Sequence, residues 1–297
     1  MARSKKSIWV FFVSAGISFI VFGTVFVIFF YITDATKIDK NQEGIPYISQ
    51  YVPSPKESIN VLVVGCEQEN YPPSFEMLFC YDAPNGIIYV SSFPIQSIST
   101  VGIREDTLEG HYDYQGLQGS VIATENLLSI PIDRYVRLNK EGVSNLVDFF
   151  GGIDYELTED LAVGEETFVK GKQLLDGRRV STLLFQKKEK DVYHTSLQEE
   201  LITKLIQQRF NQSLADKYAK FSSAFFYNTE TNLNQYDFAL RQKGICSKMQ
   251  LDSVVVKKLP IRGNYTQEKT KFTPTEQSLN EVKTVLQAIK REQQPSS

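Results

Sequence analysis

The longest apolar run in the chain comes first. From Ile8 to Ile32, IWVFFVSAGISFIVFGTVFVIFFYI, 25 residues pass without a charge. About 20 helical residues cross the hydrocarbon core of a bilayer, so the run predicts one membrane-spanning helix. A cleaved signal peptide is the alternative. It would have a shorter apolar region followed by a small-x-small site, a pattern that Tyr31-Ile32-Thr33-Asp34-Ala35 lacks. Arg3, Lys5 and Lys6 precede the run and Asp34 follows it. The positive-inside bias therefore places residues 1–7 in the cytoplasm and the rest outside, as a single-pass protein of the cell membrane. Residues 33–57 are polar and contain Pro46, Pro53 and Pro55, which disfavour helix and predict a linker.

From Ser58 to about Lys290 the pattern alternates between short and longer periods. Ile59–Gly65 is an apolar run ending in glycine, a buried strand. Glu76–Tyr81 and Ile87–Ser92 flank Asp82-Ala83-Pro84-Asn85-Gly86, whose Asn-Gly predicts a hairpin. Ser120–Leu128 reads as a helix, Tyr135–Leu138 as a strand, and Lys140–Phe150 as a helix closed by Gly151-Gly152. Ile153–Leu157 is a strand, Lys170–Leu184 a turn and a helix, and Ser196–Phe210 an amphipathic helix with Leu197, Leu201, Ile202, Leu205 and Ile206 on one face. Leu251–Leu259 is a late strand and Thr275–Lys290 a terminal helix, followed by a tail over 291–297. The alternation predicts one α/β domain, a central mixed sheet flanked by helices.

Composition narrows the function classes. At 42% hydrophobic and 23% charged the chain is globular, not disordered or fibrous. The net charge of −3 and sequence pI near 5.6 argue against a nucleic-acid partner. Three cysteines and two histidines are too few for a disulfide scaffold or a histidine-rich metal centre. Cys66 and Cys80 either pair, if their strands are neighbours, or remain buried thiols.

Several stretches in order resemble the LytR-CpsA-Psr family of cell-envelope proteins. They are Ile59–Gly65, Ser92-Phe93-Pro94, Ile130-Pro131-Ile132-Asp133-Arg134-Tyr135-Val136, Leu146-Val147-Asp148-Phe149-Phe150-Gly151-Gly152 and Gly171-Lys172-Gln173-Leu174-Leu175-Asp176-Gly177. The resemblance implies a phosphotransferase that moves a glycopolymer from a polyprenyl-pyrophosphate carrier to peptidoglycan. It also implies arginines on the pyrophosphate, Mg²⁺ held by aspartates, and an apolar tunnel for the lipid. Such sites rest on bidentate arginine forks and on a metal that neutralises developing charge.

The residues that differ are those of the family's site. Ile95 and Gln96 stand where an arginine and an aspartate are expected. Ser74-Phe75-Glu76 replaces Arg-Ser-Asp, and Glu67 replaces the aspartate after the first strand. In the late arginine-rich segment the matching positions are Phe185, Lys187, Asp191, His194, Leu197 and Gln198, of which Lys187, Asp191 and Gln198 keep similar chemistry. A hydrogen bond to a charged group contributes about 1.5–3 kcal/mol. Four missing arginines, at Ile95, Phe185, His194 and Leu197, remove on the order of 6 kcal/mol, roughly 10⁴-fold in affinity. The expectation is a non-catalytic or strongly diverged member, with another family member, lipid-linked glycopolymer or peptidoglycan as partner. Two alternatives remain: an active phosphotransferase with rearranged ligands, and an unrelated envelope protein. Glu67 and Glu76 are either metal ligands, with Mg²⁺ as the cofactor, or strand-end carboxylates. Arg178 and Arg179, with Lys187, Lys188 and Lys190, are either replacement anion ligands or a solvated face. His194 is either an acid–base group or a polar cap to the helix that follows.

Overall fold

The computed structural model describes residues 51–68, 71–186 and 192–293. The predicted membrane span over 8–32 lies outside them, and so do residues 294–297 of the expected tail. Among the described residues no helix is long and apolar enough to cross a membrane. Residues 51–57, part of the expected linker, end in a 3₁₀ turn over Pro55–Glu57. Ser54 caps that turn, and buried Glu57 accepts hydrogen bonds from the Ser54 amide at 2.7 Å and the Tyr51 hydroxyl at 2.8 Å.

The centre of the domain is built first along the chain. Strands β1 (Ile59–Cys66), β2 (Pro73–Asp82) and β3 (Ile87–Phe93) form an antiparallel meander. Asp82 accepts from both the backbone and the side chain of Asn85, and Gly86 sits at φ +66°, so the Asn-Gly turn closes the β2–β3 hairpin as its sequence predicts. A small hairpin, β4 (Ile98–Val101) with β5 (Arg104–Thr107), leads into helix α1 (Leu108–Leu128). This helix is longer than the Ser120–Leu128 expected. Its first turns break at Gln115 and Gly116, where Gly116 has φ +61°, and that interruption hides its period.

Strand β6 (Arg134–Leu138) pairs parallel to β1 and leads into α2 (Lys140–Phe149), capped by Asn139. Then come β7 (Ile153–Leu157), the hairpin β8 (Leu161–Val163) with β9 (Glu166–Phe168), and β10 (Gly171–Leu175), which pairs with β7. Helix α3 (Gly177–Leu184) is capped by Asp176. Helix α4 (Val192–Arg209) starts four residues before the Ser196 expected, so His194 lies inside its first turn and does not precede it. Helices α5 (Gln212–Ala215) and α6 (Tyr218–Asn228), strand β11 (Glu230–Thr231) and helix α7 (Gln235–Gln250) follow. The late strand β12 is shorter than expected, Val255–Lys258, because α7 runs to Gln250 and a turn follows. A last hairpin, β13 (Gly263–Tyr265) with β14 (Phe272–Pro274), precedes α8 (Glu276–Gln293).

The main sheet is six-stranded and mixed, in the order β11-β6-β1-β2-β3-β12. The β1–β6 and β3–β12 pairs are parallel and the others antiparallel. Helices cover both faces. Phe75 and Met77 of β2 pack with Val143 and Val147 of α2, Leu183 of α3 and Leu201 of α4. Leu78 and Cys80, on the opposite face of β2, pack with Ala123 of α1 and Val282 and Leu286 of α8. Coverage on both faces explains why β1 reads as a continuous apolar run and not an alternating one. The cysteines do not pair. Cys66 faces Pro73 at one end of the β1–β2 ladder and Cys80 faces Asn60 at the other, and both are buried free thiols.

The Leu-Val-Asp-x-x-Gly-Gly stretch and the Leu-Asp-Gly stretch meet in space. Asp148 Oδ1 accepts from the Gly177 amide at 2.7 Å. The Gly152 amide donates to Val147 O at 2.9 Å, with Gly151 and Gly152 at φ +82° and +75°. A Cβ on Gly177 would stand 1.9 Å from Ser144 O, so only glycine lets α3 come this close to α2. Gly177→Ala is expected to lower stability by about 1–3 kcal/mol through overpacking, read as a drop in the urea midpoint at unchanged slope.

Candidate functional site

With both sheet faces covered, the open part of the domain lies at strand ends. Parallel β1 and β6 both finish at one polar cleft, the place where α/β sheets commonly receive ligands. β1 reaches it through a bulge between Gly65 and Cys66. A Cβ on Gly65 would stand 2.0 Å from the Phe75 ring, so glycine is needed where the strand passes that phenylalanine. One lobe, about 590 Å³, is lined by Glu67, Lys140, Ser144, Arg178 and Ser181. A second, about 450 Å³, is lined by Cys66, Arg137, Tyr227, Asn228 and Glu230. The lobes share Gln68, Asn139, Glu141 and Asn145.

The two arginines of the cleft are already paired. Arg137 forms an ion pair with Glu230 and a hydrogen bond with the Tyr112 hydroxyl. Arg178 pairs with Glu166, which also accepts from Thr182 Oγ1 at 3.3 Å. Cys66 Sγ lies 3.3 Å from the Tyr112 hydroxyl. Burial pushes the Cys66 thiol up, against the lowering influences of Tyr112 and Arg137. Burial, with the Cys66 hydrogen bond, pushes Tyr112 up to about 12.

The positions that the sequence marks out fall in different environments. Glu67 and Arg178 line one lobe together. Arg179 points elsewhere: its guanidinium lies 4.8 Å over the Phe168 ring and donates to Gln173 Oε1 at 2.7 Å. Arg178 and Arg179 therefore do not form one patch, and Lys187, Lys188 and Lys190 lie outside the described residues. Phe185 and Leu197 are buried in the core with Leu184, Leu201 and Phe75, and the Phe185 ring meets Phe75 edge-on at 5.3 Å. Gln198 is buried and donates to Leu184 O at 2.7 Å. Ile95 and Gln96 occupy the turn after β3, where their carbonyls accept from the Glu109 and Phe272 amides. Asp191 lies outside the described residues, and only the backbone of His194 is within them.

Glu76 is fully buried on β2, on the face covered by α1. Its Oε1 accepts from Ser120 Oγ at 2.7 Å, while Oε2 has no hydrogen-bond partner. Burial pushes its carboxyl from 4.5 up to about 7, with the Ser120 and Thr124 hydroxyls opposing. A second buried carboxyl, Glu199 of α4, is pushed up to about 6 by burial, opposed by Lys258 and the Ser92 amide.

Comparison with known proteins agrees with this fold. The pattern of the LytR-CpsA-Psr family matches residues 25–288. The chain belongs to the LytR-CpsA-Psr family. It is 23% identical over 222 residues to the polyisoprenyl-teichoic acid–peptidoglycan teichoic acid transferase TagU of Bacillus mycoides, covering 72% of each chain. The Bacillus subtilis TagV structure superposes with a TM-score of 0.67 at 22% identity, over 78% of this chain and 96% of that one. A structure of TagT bound to LI-WTA superposes at 0.65 with 20% identity, over 80% and 92%. At these identities the structures show a shared fold.

The metal implied by the LytR-CpsA-Psr resemblance does not fit the described residues. Mg²⁺ asks for near-octahedral oxygen ligands at about 2.0–2.1 Å. Glu76 offers one unpartnered oxygen. Glu67 lines the cleft, whereas Glu76 is closed beneath α1. Among the described residues no three His, Cys, Asp or Glu side chains are grouped to hold an ion.

Sequence reading missed Arg137, Tyr112, Glu230 and Glu199. An arginine inside the apolar strand Tyr135–Leu138 was a usable signal for the first. Nothing local marks the others, which meet through the fold. Because the folded Glu76 binds a proton that the unfolded chain has released, its cost to stability is absent below about pH 4.5 and grows until about pH 7. Glu76→Gln is expected to raise stability at pH 8 by on the order of 3 kcal/mol. The difference from wild type should vanish near pH 4 in urea titrations across the range.

Proposed function

We infer that this LytR-CpsA-Psr protein is a membrane-anchored, extracytoplasmic component of cell-wall glycopolymer assembly that does not itself transfer the polymer. The observation that carries the second half is the burial of Phe185 and Leu197 against Phe75. These two positions match family arginines, and here they complete an apolar core. A pyrophosphate brought there would lose water without gaining guanidinium partners, which is unfavourable by several kcal/mol. The teichoic acid transferase relatives support the cell-wall setting. Lipid-linked glycopolymer, peptidoglycan or an active family member is its partner, and its role is to scaffold or regulate.

The polar cleft supports a second reading, an active phosphotransferase with relocated ligands, because Glu67, Arg178 and Lys140 line one lobe. Against it, Arg178 is already matched by Glu166. The two readings divide on one measurement. Full-length protein in detergent is mixed with a short-chain polyprenyl-pyrophosphate, with and without Mg²⁺. No phosphate-bond cleavage and no metal-dependent binding are expected. Turnover, or tight binding that needs Mg²⁺, would overturn the non-catalytic reading.

The anchoring is tested separately. In intact protoplasts, external protease should remove the domain beginning near Ser58 and leave an epitope at residues 1–7 protected. The opposite pattern would reverse the proposed topology.

A further inference from the structure

One lobe of the cleft contains neither Glu67 nor Arg178, the candidate ligands that line the other. The end of β6, the first turns of α2 and the α6–β11 junction frame it, and its volume is about 450 Å³, within the ~300–1,000 Å³ of small-ligand clefts. We propose that this lobe binds a short uncharged stretch of oligosaccharide, with Tyr227 as stacking platform and Asn139 and Asn145 as hydroxyl partners.

The charge of the lobe selects against ions. Arg137 is matched by Glu230, and Glu141 adds a further negative charge. An anion such as pyrophosphate meets two carboxylates and one cation already engaged. A free cation meets that same arginine. An uncharged polyhydroxyl ligand has neither conflict.

The amides are oriented before any ligand arrives. Asn145 Nδ2 donates to Asn228 Oδ1 at 2.8 Å, and Asn228 Nδ2 donates to Ala224 O at 2.8 Å. That leaves Asn145 Oδ1 as an acceptor in fixed orientation. Asn139 Oδ1 accepts from the Gly142 amide at 2.7 Å, so its Nδ2 is presented as a donor. A side-chain acceptor and a side-chain donor in one lobe suit hydroxyl groups, which both give and take hydrogen bonds. Tyr227 is 88% exposed while lining the same lobe. Its ring offers an apolar face to the axial C–H groups of a sugar and its hydroxyl a polar tip.

That the polyhydroxyl ligand is a saccharide rests on the cell-wall role inferred above. The test uses full-length protein in nanodiscs and titrates an N-acetylglucosamine tetramer by calorimetry. Saturable binding is expected, weakened tenfold or more by Tyr227→Ala and by Asn145→Ala, with the unfolding midpoint of Tyr227→Ala unchanged. Absence of saturable binding by the wild type, or undiminished binding in both variants, would overturn the proposal. Displacement of the tetramer by inorganic pyrophosphate would overturn it too, by making the lobe an anion site. Cleavage of polyprenyl-pyrophosphate is read on a different probe, so failure of the non-catalytic reading and failure of the saccharide site are distinguishable.

Discussion

Coverage of the central sheet on both faces constrains everything else in the domain. β1 sits in the middle of six strands with Leu62 and Val64 fully buried. α2, α3 and α4 close one face, and α1 and α8 the other. A ligand therefore has the strand ends to approach. The parallel pairing of β1 with β6 puts two carboxyl ends side by side, and there the loop after Cys66, the Asn139 cap and the start of α2 make a polar wall. The Asp148–Gly177 hydrogen bond then sets α3 against α2, which brings Arg178 and Ser181 to the same opening.

The same layering accounts for the divergence of the two glutamates. Glu67 follows the last residue of β1 and so reaches the cleft. Glu76 is a strand residue facing α1, and its neighbours on that side are the Ser120 hydroxyl and apolar packing. One acid is at a strand end and the other is inside a layer. Their shared carboxylate chemistry carries no sign of this, because what separates them is that one follows a strand and the other lies within one.

What was legible follows from how local each signal is. The β2–β3 hairpin could be read because Asn85-Gly86 states its turn within two residues. The α2 boundary could be read because Gly151-Gly152 closes it. The break at Gln115–Gly116 concealed the first half of α1. Helices α6 and α7 went unread because their aromatic residues, such as Phe221, Phe225 and Phe238, are packed against one another on several sides and show no clean stripe. In the cleft, Glu67 and Arg178 were identifiable as candidates by their type, but Arg137, Glu230 and Tyr112 come from three separate elements. The β11–β6 pairing sets Glu230 opposite Arg137, and the packing of α1 on β1 brings Tyr112 beside Cys66.

Phe185 and Leu197, where the family resemblance implies arginines, are held by packing that resists single changes. Phe185 and Leu197 share one core with Phe75, and that ring in turn requires Gly65 beside it. An arginine introduced at Phe185 alone would place a charge among packed rings, a cost of several kcal/mol without a partner. An arginine at Leu197 alone meets the same core. Cooperative packing of this kind makes a single charged substitution at either position costly. The same core supports the cleft at the ends of β1 and β6, because Val143 and Val147 of α2 and Val180 of α3 belong to it while Asn145 and Arg178 of those helices line the opening.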